Sequence, residues 1–321
     1  MIGMYSNKRI GAALKKLRKE KNLSQKAITK ANTLEEICSI KTLQRIESGK
    51  TMPHQHTLNA LLIMLNISYE EFIALVHDGG MSQFNEDFER IWDAGIAHKF
   101  EEEAVLLAEL KTKDYCDTTN PVIAQAVLLI EGILLRRLDK NHVKSLQTFY
   151  SALVLTKPKI FVSPNTLDCE KIANQTFSVN EYHVMKVIAI VHVALGKLDI
   201  AAQIYRALVS SLENSKTSYN VRKKVLPGIY YNFSNTLIRL DIFEEVLTVT
   251  EKGLDFCQQA NIHTLTGSLL ANKASALFHF GQLEEATFFF RKAHQTHLAQ
   301  GYTARAEEIK ANVKTYYNIE I

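Results

Sequence analysis

The chain contains few residues that interrupt helices. Proline occurs 5 times and glycine 13 times among 321 residues. Leu, Ala, Lys and Glu, which favour helix, are abundant, and this composition predicts an all-α protein. The four cysteines (Cys38, Cys116, Cys169 and Cys257) are far apart and form no CxxC pair. That spacing argues against a disulfide framework and against a zinc finger.

The chain also lacks long apolar segments. The apolar run Val187–Val191 is among the longest, and it is far shorter than the ~20 residues that a membrane-spanning helix needs. The N-terminus carries Lys8 and Arg9 without an apolar block behind them, so no signal peptide is expected. We therefore expect a soluble, cytoplasmic protein with no membrane partner.

Positive charge is concentrated at the N-terminus. The formal net charge is +4, and residues 1–80 contain 12 Lys and Arg against 7 Asp and Glu. The first 80 residues thus carry +5 and the other 241 carry −1. A basic module on a near-neutral body suggests a nucleic-acid partner for the module. A solvated lysine-rich helix face explains the same composition, and composition alone does not separate the two interpretations.

One glycine pair predicts a domain boundary. Gly79-Gly80 is the only Gly-Gly in the sequence, and it follows a helical pattern. Such a pair favours a break between helices. We expect an N-terminal domain over residues 1–76, a hinge over 77–82 and a second domain over 83–321.

The N-terminal domain has the pattern of five short helices. Ile10, Leu14 and Leu17 follow helical spacing in the first. Serines are placed to cap later helices, and Gly49 follows the third helix in the manner of a C-cap. The cap residues are Ser24 for the second helix, Ser39 for the third and Ser68 with Glu71 for the fifth.

This pattern resembles the lambda-repressor or Xre-type helix-turn-helix domain over about residues 8–72. The resemblance is carried by Leu23-Ser24-Gln25, by Ser39–Glu47, and by Gly49, Pro53 and Leu58. The stretch between the second and third helices is about four residues longer than in the family. We expect this longer connection to change the tilt and reach of the third helix.

The resemblance implies that the third helix, Ile40–Glu47, enters the major groove of double-stranded operator DNA. On that helix Leu43 and Ile46 are expected to face the core, with Glu47 as an internal structural partner. Glutamine can pair with adenine, and arginine or lysine with guanine. The candidate DNA-binding residues are Gln25 (to a phosphate, by the resemblance), Ser39, Lys41, Thr42, Gln44, Arg45 and Lys50. A helical bundle that merely resembles a repressor is the alternative.

The rest of the chain repeats a short pattern. In two copies a glycine is followed five positions later by alanine and nine positions later by an aromatic residue: Gly196, Ala201 and Tyr205, then Gly281, Ala286 and Phe290. Three other copies match this pattern less closely. The turns are predicted at His98, Lys140, Gly196, Asp241 and Gly281, which are 42, 56, 45 and 40 residues apart. The pattern resembles tetratricopeptide (TPR) repeats, whose ideal period is 34 residues. It implies a right-handed α-solenoid of about five helix pairs plus a C-terminal helix. A plain all-α bundle is the alternative.

A TPR-like solenoid has a concave groove lined by the first helix of each pair. Polar residues recur on that face of the later pairs, and asparagine can both donate to and accept from the backbone of an extended peptide. Arg239 is suited to a peptide carboxylate. The candidate peptide-binding residues are Lys186, Tyr231, Asn232, Asn235, Arg239, Asn272, Ser275 and His279. The alternative is that the asparagines satisfy neighbouring helix ends.

No motif of catalysis is present. We find no GxGxxG or GxxxxGK[ST] loop, no HExxH and no GxSxG. The sequence therefore predicts neither an enzyme nor a cofactor or metal site.

The order of an Xre-like domain, a hinge and TPR-like pairs resembles the RRNPP family of Gram-positive quorum-sensing regulators. The resemblance implies a cytoplasmic, homodimeric transcription regulator that binds a signalling peptide of about five to ten residues in the groove. Two other roles remain open: a regulator controlled by a protein partner, and a response-regulator phosphatase or sequestering protein.

Overall fold

The structure, a computed structural model, describes residues 7–30, 36–78, 81–214 and 216–321. The chain divides into two compact units, residues 1–119 and 120–321. The predicted hinge falls inside the first unit, and its two glycines lie outside the described residues. The first unit contains α1 (Asn7–Glu20), α2 (Gln25–Ile28), α3 (Ile40–Glu47), α4 (Gln55–Met64), α5 (Tyr69–Asp78), α6 (Met81–Ile96) and α7 (Phe100–Lys111).

The second unit is also helical. Its helices are α8 (Pro121–Arg137), α9 (His142–Val154), α10 (Cys169–Ala173), α11 (Val179–Ala194), α12 (Leu198–Glu213), α13 (Tyr219–Arg239), α14 (Phe243–Gln259), α15 (Thr266–His279), α16 (Leu283–Ala299) and α17 (Thr303–Tyr317). The strands found in the described residues are β1 (Phe161–Ser163) and β2 (Thr166–Leu167), which pair in antiparallel fashion. The predicted all-α class is thus confirmed, with one small hairpin added.

Helices α1 to α5 pack around one apolar core. The predicted stripe on α1 faces inward, with Ile10 and Leu14 fully buried. The other buried members are Leu17, Ile28, Leu43, Ile46, Leu58, Leu61, Leu62, Leu65, Phe72 and Val76. Burying one such side chain contributes about 1.5–3 kcal/mol, so this core holds the five short helices together.

Serine caps fix where the short helices begin. The Ser24 hydroxyl accepts from the backbone N–H of Ala27 at 3.1 Å, and Ser39 accepts from that of Thr42 at 3.1 Å. At α5, Ser68 and Glu71 exchange hydrogen bonds of 2.9 and 3.1 Å in the predicted capping box. Each cap gives a backbone N–H in the first turn of a helix the acceptor that it lacks within the helix.

A glycine sets the distance between α1 and α3. A Cβ atom on Gly11 would collide with the carbonyl oxygen of Ile46. Glycine is therefore the residue that lets α1 approach the backbone of α3 this closely. The position of α3 depends on that approach.

All five predicted turn residues have positive φ. The angles are 60° at His98, 52° at Lys140, 75° at Gly196, 58° at Asp241 and 76° at Gly281. His98 joins α6 to α7 in the first unit. In the second unit the turns join α8 to α9, α11 to α12, α13 to α14 and α15 to α16. The left-handed residue ends one helix and lets the next fold back against it.

The residues that follow each turn are buried as the repeat predicts. A sixth turn, at Gly301 with φ of 76°, precedes α17. Where the fifth position is Ala or Ser, the small side chain allows close helix approach and an aromatic residue at the ninth position fills the interior. Glu103 and Thr250 are buried at these positions although they depart from that size pattern. The buried pairs are Glu103 with Leu107, Ser145 with Phe149, Ala201 with Tyr205, Val246 with Thr250, and Ala286 with Phe290.

An insertion interrupts the repeat between α9 and α11. It consists of a 3-10 helix (Pro158–Ile160), the β1–β2 hairpin and α10. This segment explains why the turns at Lys140 and Gly196 are 56 residues apart. Strands of two and three residues are too short to produce an alternating pattern, so the sequence did not indicate them.

Candidate functional site

The outer face of α3 is polar and exposed. Leu43 and Ile46 are 0% and 2% exposed, as predicted, and anchor the helix in the core. Lys41, Gln44 and Arg45 are exposed on its other side. The predicted orientation of the helix is therefore confirmed, and three side chains capable of base contacts share one accessible surface.

A buried ion pair fixes the end of α3 to α1. Arg18 donates through Nε to Glu47 Oε1 at 2.6 Å and through Nη2 to Oε2 at 2.9 Å. Its Nη1 also donates to the carbonyl of Leu23 at 2.9 Å. The hydrogen bond to Glu47 raises the pKa of Arg18 above its ordinary value, although burial opposes it. Glu47 is the internal partner that the sequence predicted.

The same carboxylate positions two glutamines. Gln25 donates from Nε2 to Glu47 Oε2 at 2.8 Å and accepts at Oε1 from Gln44 Nε2 at 3.2 Å. The chain of bonds runs from the buried Arg18 to the exposed Gln44. It holds the start of α2 beside the outer face of α3, with both amide side chains at one surface.

The remaining DNA-binding candidates surround this surface. Thr42 and Lys50 are exposed, and Ser39 serves as the N-cap of α3. Lys50 follows Gly49, whose φ of 70° ends the helix. Between α2 and α3, the backbones of Lys30 and Glu36 form an isolated antiparallel β-bridge. Most of the long connection, residues 31–35, lies outside the described residues.

In the second unit four of the peptide-binding candidates come together. Asn272 of α15 donates to Ser234 Oγ at 2.8 Å and to Asn235 Oδ1 at 2.9 Å on α13. Ser275, one turn further on, accepts from the Tyr317 hydroxyl of α17 at 2.8 Å. Asn272 thus satisfies a neighbouring helix, and Asn235 keeps its own Nδ2 free of partners among the described residues.

These residues border a polar cavity of about 350 Å³. Tyr231, Asn272 and Ser275 line it together with α17. The other lining residues are Ser268, Ala271, Phe290, His297, Arg305, Glu308, Ile309, Asn312, Val313, Tyr316 and Tyr317. Hydroxyl, amide and charged groups converge there, as in sites that fix the orientation of a ligand.

The other four candidates lie elsewhere on α11, α13 and α15. Asn232 donates to the Gly228 carbonyl of its own helix at 2.6 Å. Arg239 is exposed at the last residue of α13. His279 stacks on Phe243, with ring centroids 3.8 Å apart, at the end of α15.

Lys186 is half-buried on α11 within a group that the sequence reasoning missed. Lys186 and Lys224 are both close enough to His183 to influence it electrostatically. We name His183, Lys186 and Lys224 the cation cluster. Burial, then Lys186 and Lys224, hold the pKa of His183 well below its ordinary value. Burial alone lowers the pKa of Lys186 to about 8. In the sequence, the signal for this group is the spacing of three residues between His183 and Lys186. That spacing places both residues on one helix face.

The described residues contain neither a candidate membrane span nor a metal-binding cluster. None of their helices is long and apolar enough to span a membrane. Within the same residues no three His, Cys, Asp or Glu side chains are grouped to hold a metal ion.

Two family models match the chain. A helix-turn-helix domain matches residues 11–77, and the RNPP family C-terminal domain matches residues 165–299. No curated protein is significantly similar to the chain in sequence.

Several solved structures resemble the chain over nearly their whole length. PlcR of Bacillus thuringiensis in complex with the peptide PapR7 and DNA is 18% identical with a TM-score of 0.60, and covers 94% of this chain and 99% of its own. Apo PlcR reaches a TM-score of 0.64 at 16% identity, covering 94% and 98%. ComR of S. thermophilus, in complex with DNA and its signalling peptide ComS, gives 0.52 at 17%, covering 94% and 98%. At these identities the likeness shows the fold.

Together the fold, the exposed α3 surface and the two family models define a helix-turn-helix protein with a helical-repeat body. Residues 165–299 match the C-terminal domain of the RNPP family, and residues 11–77 match a helix-turn-helix domain.

Proposed function

We propose that the chain is a cytoplasmic transcription regulator that binds operator DNA through α3 and is controlled by a short peptide in its repeat domain. The observation that carries the DNA half is the α3 surface. Lys41, Gln44 and Arg45 are exposed on a helix that a buried ion pair and a glycine contact hold in place. A rigid helix with three such side chains is suited to reading base edges in the major groove.

In this function Gln25, Ser39, Thr42 and Lys50 contact phosphates and position the helix, whereas Lys41, Gln44 and Arg45 specify sequence. PlcR and ComR, which share the fold, have structures in complex with DNA. We propose that the chain acts as a homodimer, so that two copies of α3 read half-sites about one turn of DNA apart.

Selection from random duplexes by the full-length chain tests the DNA half. We expect enrichment of a two-fold symmetric sequence at fixed salt, because phosphate affinity depends strongly on salt. Arg45→Ala and Gln44→Ala should lose that enrichment, since each base contact contributes about 1–3 kcal/mol of discrimination. Arg90→Ala, at an exposed arginine of α6, is the matched control and should select the same sequence. Preserved selection by Arg45→Ala would contradict the assignment of α3.

The peptide half is supported by the polar groups that converge on α13 and α15. Asn235 has an amide donor available, and Tyr231, Asn272 and Ser275 border the 350 Å³ cavity beside it. Amides on adjacent helices can bind the main chain of an extended peptide. PlcR and ComR, again, have structures with signalling peptides bound.

Native mass spectrometry of the protein purified from dense and sparse cultures of its host tests this half. We expect an adduct with the mass of about five to ten residues in the dense culture. Asn235→Ala should weaken the adduct without unfolding the protein, because Asn235 is half-exposed. A protein-sized partner in place of the peptide would favour partner control, and a clean apo protein from both cultures would contradict the peptide proposal.

The regulator requires no chemistry of its own, and we propose that the chain is not an enzyme. A response-regulator phosphatase is the alternative within the resemblance. Hydrolysis of a phosphorylated response regulator by the purified chain would overturn this part of the proposal. We also retain residues 1–76 as the DNA-binding domain and 83–321 as the peptide-binding and dimerisation domain.

A further inference from the structure

Lys186 is half-buried on α11 and lacks a counter-charge. No ion pair or hydrogen bond within the described parts of the chain uses its ammonium group. A buried charge of this kind is costly unless it is paired. Of its neighbours in the cation cluster, Lys224 adds a positive charge and His183 is neutral because its pKa is lowered. Neither supplies an acceptor carboxylate.

The ammonium lies against a backbone with no side chain. A Cβ atom on Gly228 of α13 would lie 3.8 Å from the Lys186 Nζ atom, and it would meet no other atom within 4 Å. Space therefore remains beside Nζ on the α13 side. Lys224 precedes Gly228 by one helical turn and is exposed, so a second cation lies on the same face of α13.

We propose that Lys186, supported by Lys224, binds a carboxylate of the ligand peptide, an inference that rests on the proposed peptide-receptor function. A carboxylate there supplies the missing counter-charge and forms a charge-assisted hydrogen bond in a partly desolvated setting. The carboxylate belongs either to an Asp or Glu side chain of the peptide or to its C-terminus.

The spacing along α13 fixes where that carboxylate falls in the peptide. Asn235 follows Gly228 by seven residues, or about 10 Å of helix rise. An extended peptide advances about 3.3–3.6 Å per residue. A peptide that uses both sites therefore places its carboxylate about three residues from the peptide bond that Asn235 contacts.

Four pools of synthetic random heptapeptides test the proposal with the full-length chain. The pools contain or lack Asp and Glu, and each exists with a free or an amidated C-terminus. Peptides retained after gel filtration are identified by mass spectrometry. We expect enrichment of peptides with a carboxylate by about tenfold or more over the pool that has none. Enrichment of amidated acidic peptides assigns the site to a side chain, and enrichment only with a free C-terminus assigns it to the terminus.

Variants separate a specific site from general positive charge. Lys186→Met should abolish the preference for a carboxylate, and Lys186→Arg should retain most of it. Lys144→Met, at an exposed lysine of α9, should leave it unchanged. Equal retention of all four pools by the wild type, or an unchanged preference in Lys186→Met, would overturn the carboxylate site while peptide binding stands. Failure of every pool to bind would overturn the peptide half of the proposed function and this inference with it.

Discussion

Replacing Lys186 with methionine is expected to stabilise the free protein. Lysine and methionine have unbranched side chains of similar length, so Lys186→Met removes the charge and largely keeps the packing. Burial lowers the pKa of Lys186 from 10.5 to about 8. This difference means that keeping the ammonium charged in the folded state lowers the unfolding free energy by about 3 kcal/mol.

The sign of the pH dependence follows from the direction of that pKa change. Below about pH 8 the folded and unfolded chains are both protonated at Lys186, so the full penalty is present. As the pH rises from about 8 to 10.5 the folded state loses the proton first, and the penalty disappears. Lys224 and His183 are the other titratable groups of the cation cluster, and His183 is neutral throughout this range because its pKa is lowered. We therefore expect Lys186→Met to be more stable than the wild type at pH 7, by up to about 3 kcal/mol, with a gap that closes towards pH 10.

Urea unfolding followed by circular dichroism at pH 7, 8, 9 and 10 measures the gap. Lys144→Met is the matched control and should stay within about 0.5 kcal/mol of the wild type at every pH. A Lys186→Met protein less stable than the wild type at pH 7 would show that the buried ammonium does not destabilise the folded state. A gap that does not change with pH would show that the penalty does not come from the charge.

Three further predictions concern packing and reactivity. Gly11→Ala should lower the unfolding free energy by about 1–3 kcal/mol and weaken DNA binding, because the new Cβ atom would press on the Ile46 carbonyl and displace α3. Urea unfolding measures the loss of stability, and an unchanged midpoint would contradict this prediction. Glu47→Gln should lower the unfolding free energy by about 3–5 kcal/mol in the same measurement, because it leaves the Arg18 charge without its buried partner. A loss below about 1 kcal/mol would show that the ion pair is not needed to hold α3. Burial raises the pKa of Cys257 to about 11, so iodoacetamide at pH 8 should label it more slowly than the three half-buried cysteines; peptide mapping showing early labelling of Cys257 would contradict its burial.

Local patterns predicted the fold well. The apolar spacing of α1, the serine caps and the turn positions all depend on interactions within about ten residues, which a sequence displays directly. Gly196 and Gly281 are glycines where the backbone needs positive φ. The same geometry at His98, Lys140 and Asp241 was recognisable only because the five- and nine-residue spacing repeats.

Contacts between distant segments were not predictable in the same way. The sequence marked Glu47 as an internal partner, but it did not reveal Arg18, which is 29 residues away. The cation cluster combines α11 with α13 and depends on which face of each helix the solenoid leaves open. Asn272 was expected to face a ligand, and the structure shows it bonded to Ser234 and Asn235. The β1–β2 hairpin was missed because it is too short to produce a periodic pattern.

In the proposed function, a peptide bound in the repeat domain controls DNA binding by α3. The most direct test measures the dissociation constant of the full-length chain for its selected duplex, with and without the peptide recovered from the host, at one salt concentration. We expect the dissociation constant to change by about fivefold or more in either direction, since coupling between two sites amounts to about 1–3 kcal/mol. An unchanged dissociation constant at saturating peptide would contradict it.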